Sequence, residues 1–378
     1  MQRRFLIGRG GEMVIKKVIK GIIIFIAAVL LLVTGLLVFL TVTEYKPADV
    51  EPLKVKGTAD ATYSVGDSMT IMTWNIGYGA LGDNADFFMD GGKMVKSAEE
   101  DRVMENMDGI MQTIEQTKPD FFLIQEIDCD SSRSYHIDEL KMLRDRFKDY
   151  ESTFGINYKT PFVPYPMPPL GKIVAGIATF SDSHAENVER IQLPVPFKWP
   201  VRPVNLKRCV TETHIPVYDP AGPRSEGQKR FDKDLVIFNL HLEAYDSGAG
   251  KIAQTKMLAK LLKEERAKGN YVIAGGDFNQ IFSSADKNAY PPQPDKWLPG
   301  ELDEEQFGDG WVFLMDEKTP SCRSLDQPLV GADLGSFQYY LIDGYIVSDN
   351  IQIDALETMD LGFVNADHNP VVLQFTLQ

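Results

Sequence analysis

Positions 120–128 read DFFLIQEID. Phe121 to Ile124 form a short, uninterrupted apolar run, the pattern of a strand covered on both faces. Gln125 and Glu126 follow it directly, so a rigid sheet would present an amide and a carboxylate at its end, where a ligand meets side chains held in place.

The same shape recurs along the chain. Apolar, β-rich runs occur at 69–76, 121–127, 176–181, 235–242, 271–274, 311–315, 339–347 and 371–377. Between them lie amphipathic patterns at 98–116, where Val103, Met107, Ile110, Met111 and Ile114 recur at helical spacing, and at 252–268, where Leu258, Leu261 and Leu262 do so. Gly269 stands where a C-cap is needed. No internal repeat interrupts 68–378, so one α/β domain of sheets covered by helices is expected. Three stretches read as long loops: 160–171 and 194–205, which mix Pro with Phe, Tyr and Trp, and the acidic 282–310.

Six strand ends carry polar residues: Asn75; Gln125 and Glu126; Asn239 and His241; Asp277 and Asn279 in GGDFN; Asp343 in LIDGYIV; and Asp367 and His368 in NADHNP. Taken singly, an Asn or Asp there is ordinarily a turn residue or cap, and a His in an apolar strand is ordinarily a hydrogen-bonded core residue. Asp343 is harder to set aside, because an unpaired buried carboxylate is costly. The conjunction points to one composite oxygen-and-imidazole site. Cys129, Cys209 and Cys322 are too widely spaced for a CxxC zinc site or a disulfide scaffold. Residues 77–82 match GxGxxG, but 83–92 form no amphipathic helix whose N-terminus could hold a pyrophosphate, so a loop beside Asn75 is the better reading.

The chain begins differently. Residues 21–42 carry no charge and as a helix span about 33 Å, close to the ~30 Å hydrocarbon core of a bilayer. Arg3, Arg4, Arg9, Lys16, Lys17 and Lys20 precede this run against the single acid Glu12. A retained single-pass anchor is expected, since the run exceeds a signal-peptide core and no A-x-A-like site follows. The positive-inside rule then puts residues 1–20 in the cytoplasm and the remainder outside it. Residues 43–67 read as a linker and 68–378 as the exported domain. Of 39 Lys+Arg and 54 Asp+Glu, six basic residues and one acid fall in 1–42, which leaves 33 against 53 beyond it, a formal charge of −20. Such a surface argues against a general polyanion binder.

TWNI with Asn75, DFFLIQEID with Glu126, GIATFS at 176–181, NLHLE with His241, GGDFN with Asp277 and Asn279, IDGYIVS with Asp343, and ADHNPVV with Asp367 and His368 follow in one order. In this the chain resembles the endonuclease/exonuclease/phosphatase superfamily over nearly all of 70–378. Ala366 departs from it, standing where the family often has Ser, and 127–175 shows no matching signature. The resemblance implies a four-layer sandwich: two mixed β-sheets face to face, helices outside, and a single site at one end. It also implies divalent-metal-dependent hydrolysis of a phosphoester, most often with magnesium; carboxylate and amide ligands suit Mg²⁺ or Mn²⁺, and a phosphodiester is the expected substrate bond. On that footing Glu126 would be the principal metal ligand, with Asn75 and Asp367 near it directly or through water. Asp277, oriented by Asn279, would handle the attacking water. His368, with Asp343 fixing its tautomer, and His241 would meet the phosphoryl group or the leaving oxygen.

The family does not fix the substrate. Lys172, Lys198, Arg202, Lys207 and Arg208 are the basic residues near loops that could meet a phosphate. Phe162, Tyr165, Phe197 and Trp199 would suit a phospholipid or sphingolipid head group, whereas an anchor alone also serves a surface nuclease. The expected enzyme is a membrane-tethered monomer acting on nucleic acid or lipid head groups. A catalytically inactive binding module on the same fold is disfavoured by the complete residue set.

Overall fold

The computed structural model describes residues 9–219, 230–246 and 248–378. Four α-helices are present among them: α1 (Arg9–Val42), α2 (Glu100–Thr117), α3 (Glu139–Arg146) and α4 (Ala249–Ala267).

Two large mixed sheets carry the fold. One has six strands in the order Ile351–Thr358, Val371–Leu377, Ser68–Asn75, Phe121–Asp128, Gly171–Ser181, Glu151–Val163. The other runs Val50–Pro52, Asn187–Gln192, Cys209–Tyr218, Arg230–His241, Tyr271–Asp277, Asp343–Ser348, Trp311–Leu314, with Tyr63–Ser64 paired to Cys209–Tyr218 as its eighth strand. Met69, Ile71, Leu123, Ile237, Ile273 and Phe375 belong to the core between the sheets. On the outer face of the six-stranded sheet, Trp74, Phe122 and Ile124 pack with Met107 and Ile110 of α2 and Leu140 and Leu143 of α3. On the outer face of the other, Val236, Phe238 and Val272 pack with Leu258 and Leu262 of α4. Central strands are therefore covered on both faces, which is why they read as unbroken apolar runs. The four-layer sandwich expected from the sequence is the fold.

The differences lie at the edges. The run at 339–347 is two strands, Tyr339–Tyr340 and Asp343–Ser348, in separate sheets. The strands Glu151–Val163, Asn187–Gln192, Cys209–Tyr218 and Ile351–Thr358 were not legible, because partly solvated strands mix polar and apolar residues. Much of the expected loop 160–171 is hairpin, with Thr160 opposite Ile173 and Val163 opposite Gly171. The expected linker 43–67 is strapped to the domain: Val50–Pro52 and Tyr63–Ser64 join the larger sheet, and Lys56 bridges to Ser152. Gly269 follows α4 at φ +88°, a left-handed conformation that suits glycine.

From Met13 to Val42, α1 is long and apolar enough to cross a membrane. Most of its described side chains are exposed, whereas Leu40 is buried against the domain.

Candidate active site

Strand register assembles one half of the site. Asp277 pairs with His241 on the parallel neighbouring strand and with Asp343 on the antiparallel one, so three ionisable residues share one level of one sheet. The facing sheet contributes Asn75 and Glu126 from the ends of adjacent parallel strands. Glu126 has φ +52°, and the pairing of its strand with Gly171–Ser181 slips between Ile124 and Ile127. This bulge re-aims the carboxylate toward the opposite sheet, at a backbone cost of about 1–3 kcal/mol.

The Asn75 amide joins the halves. Its Nδ2 donates to Glu126 Oε1 at 3.3 Å and to Asp277 Oδ2 at 3.0 Å. Its Oδ1 accepts from the backbone N–H of Gly77 at 3.0 Å. Asn75 thus acts here as a donor that holds two carboxylates together. Gly77 is required at that turn: it has φ +52°, and a Cβ would lie 2.9 Å from Asp367 Oδ1 and 2.8 Å from Leu81 Cβ. The GxGxxG segment is this buried turn rather than a nucleotide cradle, since Gly77, Tyr78 and Gly79 are all buried.

His368 Nδ1 lies 2.8 Å from Asp343 Oδ2, and Asp343 accepts nothing at Oδ1 among the described residues. The Asp343 backbone N–H donates to Ser321 Oγ at 3.1 Å, which fixes the strand at that point. His368 Nε2 stands 3.9 Å from Asp277 Oδ2 and 4.0 Å from Asp367 Oδ2. His241 Nε2 stands 3.4 Å from Asp277 Oδ2 and 4.0 Å from Glu126 Oε1. Two imidazoles therefore flank one carboxylate. Asn279, at φ +51°, gives its backbone N–H to Asp277 Oδ1 at 2.9 Å, while its side chain donates to Leu242 O at 3.0 Å. It orients Asp277 through the main chain rather than through its amide.

Burial and charge set the protonation states. Asp277 is pushed up to about 7 by burial and by Asp343, against the opposing pull of His368. Asp367 is raised to about 7 by burial, with His368 opposing and Glu126 adding to the rise. Burial disfavours charge on His368, but Asp343, Cys322 and Asp367 outweigh it and hold the ring well above its ordinary value. Burial lowers His241 well below its ordinary value, and Arg208, His368 and Arg133 push the same way, so this ring is neutral. Its Nδ1 is buried without a partner among the described residues. The Cys322 thiol, beside Asp367 and His368, is pushed up to about 12 by burial and stays protonated.

Two surroundings escaped the sequence. Arg133 is buried in a salt bridge to Asp128 at 2.9 Å, with its guanidinium 3.6 Å from the Tyr78 ring centre. Tyr245 donates to Asp90 Oδ1 at 3.0 Å at the rim. Arg133 lies in the stretch without a matching signature, and nothing local marks it. The basic candidates fare differently from expectation. Lys172 pairs with Asp130, Arg202 with Glu44 at 2.9 Å, Lys207 with Glu44 at 3.5 Å, and Arg208 with Glu243 at 3.4 Å. Of the five, only Lys198 has no ion pair among the described residues, so most of this charge is already matched by acids.

The fold agrees with a comparison of the whole chain. The model of the Endonuclease/Exonuclease/phosphatase family matches residues 72–324. The chain belongs to this family. Asp343, Asp367 and His368 lie beyond the matched stretch, and it is the fold that brings them to Glu126 and Asp277. Among solved structures, an endonuclease/exonuclease/phosphatase from Beutenbergia cavernae DSM 12333 is similar at 15% identity, over 82% of this chain and 72% of the other, with a TM-score of 0.51. One from Bacteroides vulgatus is similar at 15% identity, over 82% and 100%, with a TM-score of 0.50. At such identity the likeness is one of fold. No curated protein matches the chain. The family is one of phosphoesterases, and the carboxylates and imidazoles gathered here are groups that could hold a metal ion.

Proposed function

We propose that the chain is a divalent-metal-dependent hydrolase of phosphodiesters, tethered to a membrane by α1. The observation that carries this reading is the unpartnered character of the buried groups. Asp343 Oδ1 and Asp367 Oδ1, in two carboxylates that both face His368, are sequestered with no hydrogen bond among the described residues. Buried carboxylate oxygens left so need a ligand to offset their desolvation.

The donor set suits a hard cation, Mg²⁺ or Mn²⁺, which Glu126 would hold with Asn75 and Asp367 near it, directly or through water. Such an ion, when bound, would neutralise a non-bridging phosphoryl oxygen and stabilise charge on the leaving oxygen. Asp277, fixed by the Asn279 N–H and the Asn75 amide, is placed to orient water and take its proton. Protonated His368, steadied by Asp343, faces the same space and donates to a phosphoryl oxygen as charge builds. Neutral His241 donates a hydrogen bond to the phosphoryl group from the opposite flank.

Around this site we assign residues 1–20 to the cytoplasm, 21–42 to the span and 43–378 to the other side, with the monomer as the working unit. The test is hydrolysis of bis(p-nitrophenyl) phosphate by the purified full chain. Turnover should require Mg²⁺ or Mn²⁺ and vanish with EDTA. Metal-independent turnover, or none with either ion, would overturn the reading.

A further inference from the structure

The active-site end of the sandwich is also the end that meets α1. Strand register places it there. Gln192 pairs with Cys209, and Val210 with Leu240 next to His241, so the connection 193–208 caps the sheet at the level of the site. Arg208 in that connection donates to the His241 carbonyl at 3.2 Å. In the other sheet Asp128 pairs with Ala175, so the hairpin tip 164–170 projects from the same end.

The end of α1 is fixed to that connection. Trp199 Nε1 donates to Thr41 Oγ1 at 3.2 Å, and Glu44, two residues past the helix, binds Arg202 and Lys207. Leu36 and Leu37 are half-buried and Leu40 buried, while the helix before them is exposed. At 1.5 Å per residue, Leu36 sits about 9 Å below the helix end. The domain therefore reaches down beside the last turns of the apolar span. Trp199 and Val201 are 62% and 51% exposed there, and Tyr165 and Met167 at the hairpin tip are 68% and 84% exposed. A Trp bonded to the last turn of a spanning helix lies at interface depth, where Trp and Tyr are favoured and apolar side chains bury ~5–10 Å. Exposed Lys198 stands beside it at head-group level.

We infer that the loops 164–170 and 197–202 seat the domain in the bilayer that holds α1, with the catalytic mouth facing the lipid, so that the substrate is the phosphodiester of a lipid head group in that membrane. This rests on the hydrolase reading above. Water adds to the phosphorus, one P–O ester bond breaks, and the departing alcohol oxygen takes a proton. At the contact itself Arg202 and Lys207 neutralise Glu44.

The test uses the full chain in phosphatidylcholine/phosphatidylglycerol vesicles. Brominated phosphatidylcholine should quench a tryptophan component that Trp199→Phe removes. Identical quenching in wild type and variant would overturn the seat. A ten-residue Gly-Ser insertion between Val42 and Thr43 should lower head-group release from the host vesicle on the order of tenfold, by diluting and disorienting the mouth, with turnover of bis(p-nitrophenyl) phosphate unchanged. Head-group release indifferent to the insertion, or plasmid DNA cleaved while lipid is spared, would overturn the substrate assignment. Failure on bis(p-nitrophenyl) phosphate and lipid alike would refute the hydrolase reading, and the bromine quenching would still decide the seat.

Discussion

Two clusters of histidine and carboxylate stand in this molecule, and they differ in what is left over. At one, His214 Nε2 lies 2.9 Å from Glu212 and Nδ1 lies 3.2 Å from Asp234, with Glu265 at 4.0 Å. Arg230 in turn pairs with Asp234, and Lys268 with Glu265. Every charge there has an opposite. At the other, His368 Nδ1 bonds Asp343 and Nε2 stands 3.9 Å from Asp277 and 4.0 Å from Asp367, yet acceptor atoms of Asp343 and Asp367 are buried with no donor among the described residues. Both clusters bring three or more ligand-type side chains within reach of one another. The difference teaches that composition and spacing alone do not mark a site; here the mark is carboxylate acceptors left open beside a paired imidazole.

The strongest way to break this comparison is chemical. Asp277→Asn and His368→Ala should each lower turnover by about 10²–10⁴-fold, with thermal unfolding close to wild type. Substantial activity in both purified proteins would remove the first cluster from the mechanism. Ligand binding offers a second approach. Mg²⁺ at about 100 times its Kd should add about 2.7 kcal/mol to unfolding stability. Glu126→Gln should abolish that gain and Glu212→Gln should not; the reverse pattern would exchange the roles of the two clusters.

A third variant probes the layer beneath the site. Gln125 Nε2 donates to Asn239 Oδ1 at 2.8 Å, and Asn239 donates to the Ala178 carbonyl at 2.9 Å, an amide bridge between the sheets. Asn239→Leu should cost about 1–3 kcal/mol in denaturant unfolding. Wild-type stability would mean the bridge contributes no net stability to the core.

The smallest effect belongs to His214. Burial lowers its pKa, but Asp234, Glu212 and Glu265 more than offset this and raise it to about 9 from 6.5. A pKa raised on folding stabilises the protein fully below pH 6.5, and the gain disappears as pH rises through about 9. His214→Gln should flatten the loss of stability between pH 7 and 10 and leave turnover alone. An unchanged pH profile of unfolding would show that the pairing is not what sets the slope.

The candidate site was legible to the extent that it sits on central strands. Phe121–Asp128 and Tyr271–Asp277 are covered on both sides, so their sequences are apolar up to the point where function begins, and Glu126 and Asp277 stand out. The edge strand Ile351–Thr358 is largely solvated and carries no such contrast. The same limit hid Arg133, whose partner Asp128 and cover Tyr78 come from other elements. Lys207 and Arg202 read as free cations until Glu44 came to meet them.

Sequence alone determined which residues end the buried strands and that the first helix is apolar enough to span a bilayer, since both follow from local runs of hydrophobicity. Tertiary structure alone decided which polar groups keep an open valence, which cations are neutralised, and that the helix and the site share one end of the sandwich. Those outcomes depend on partners supplied by distant segments, and no local pattern encodes where a distant segment will lie.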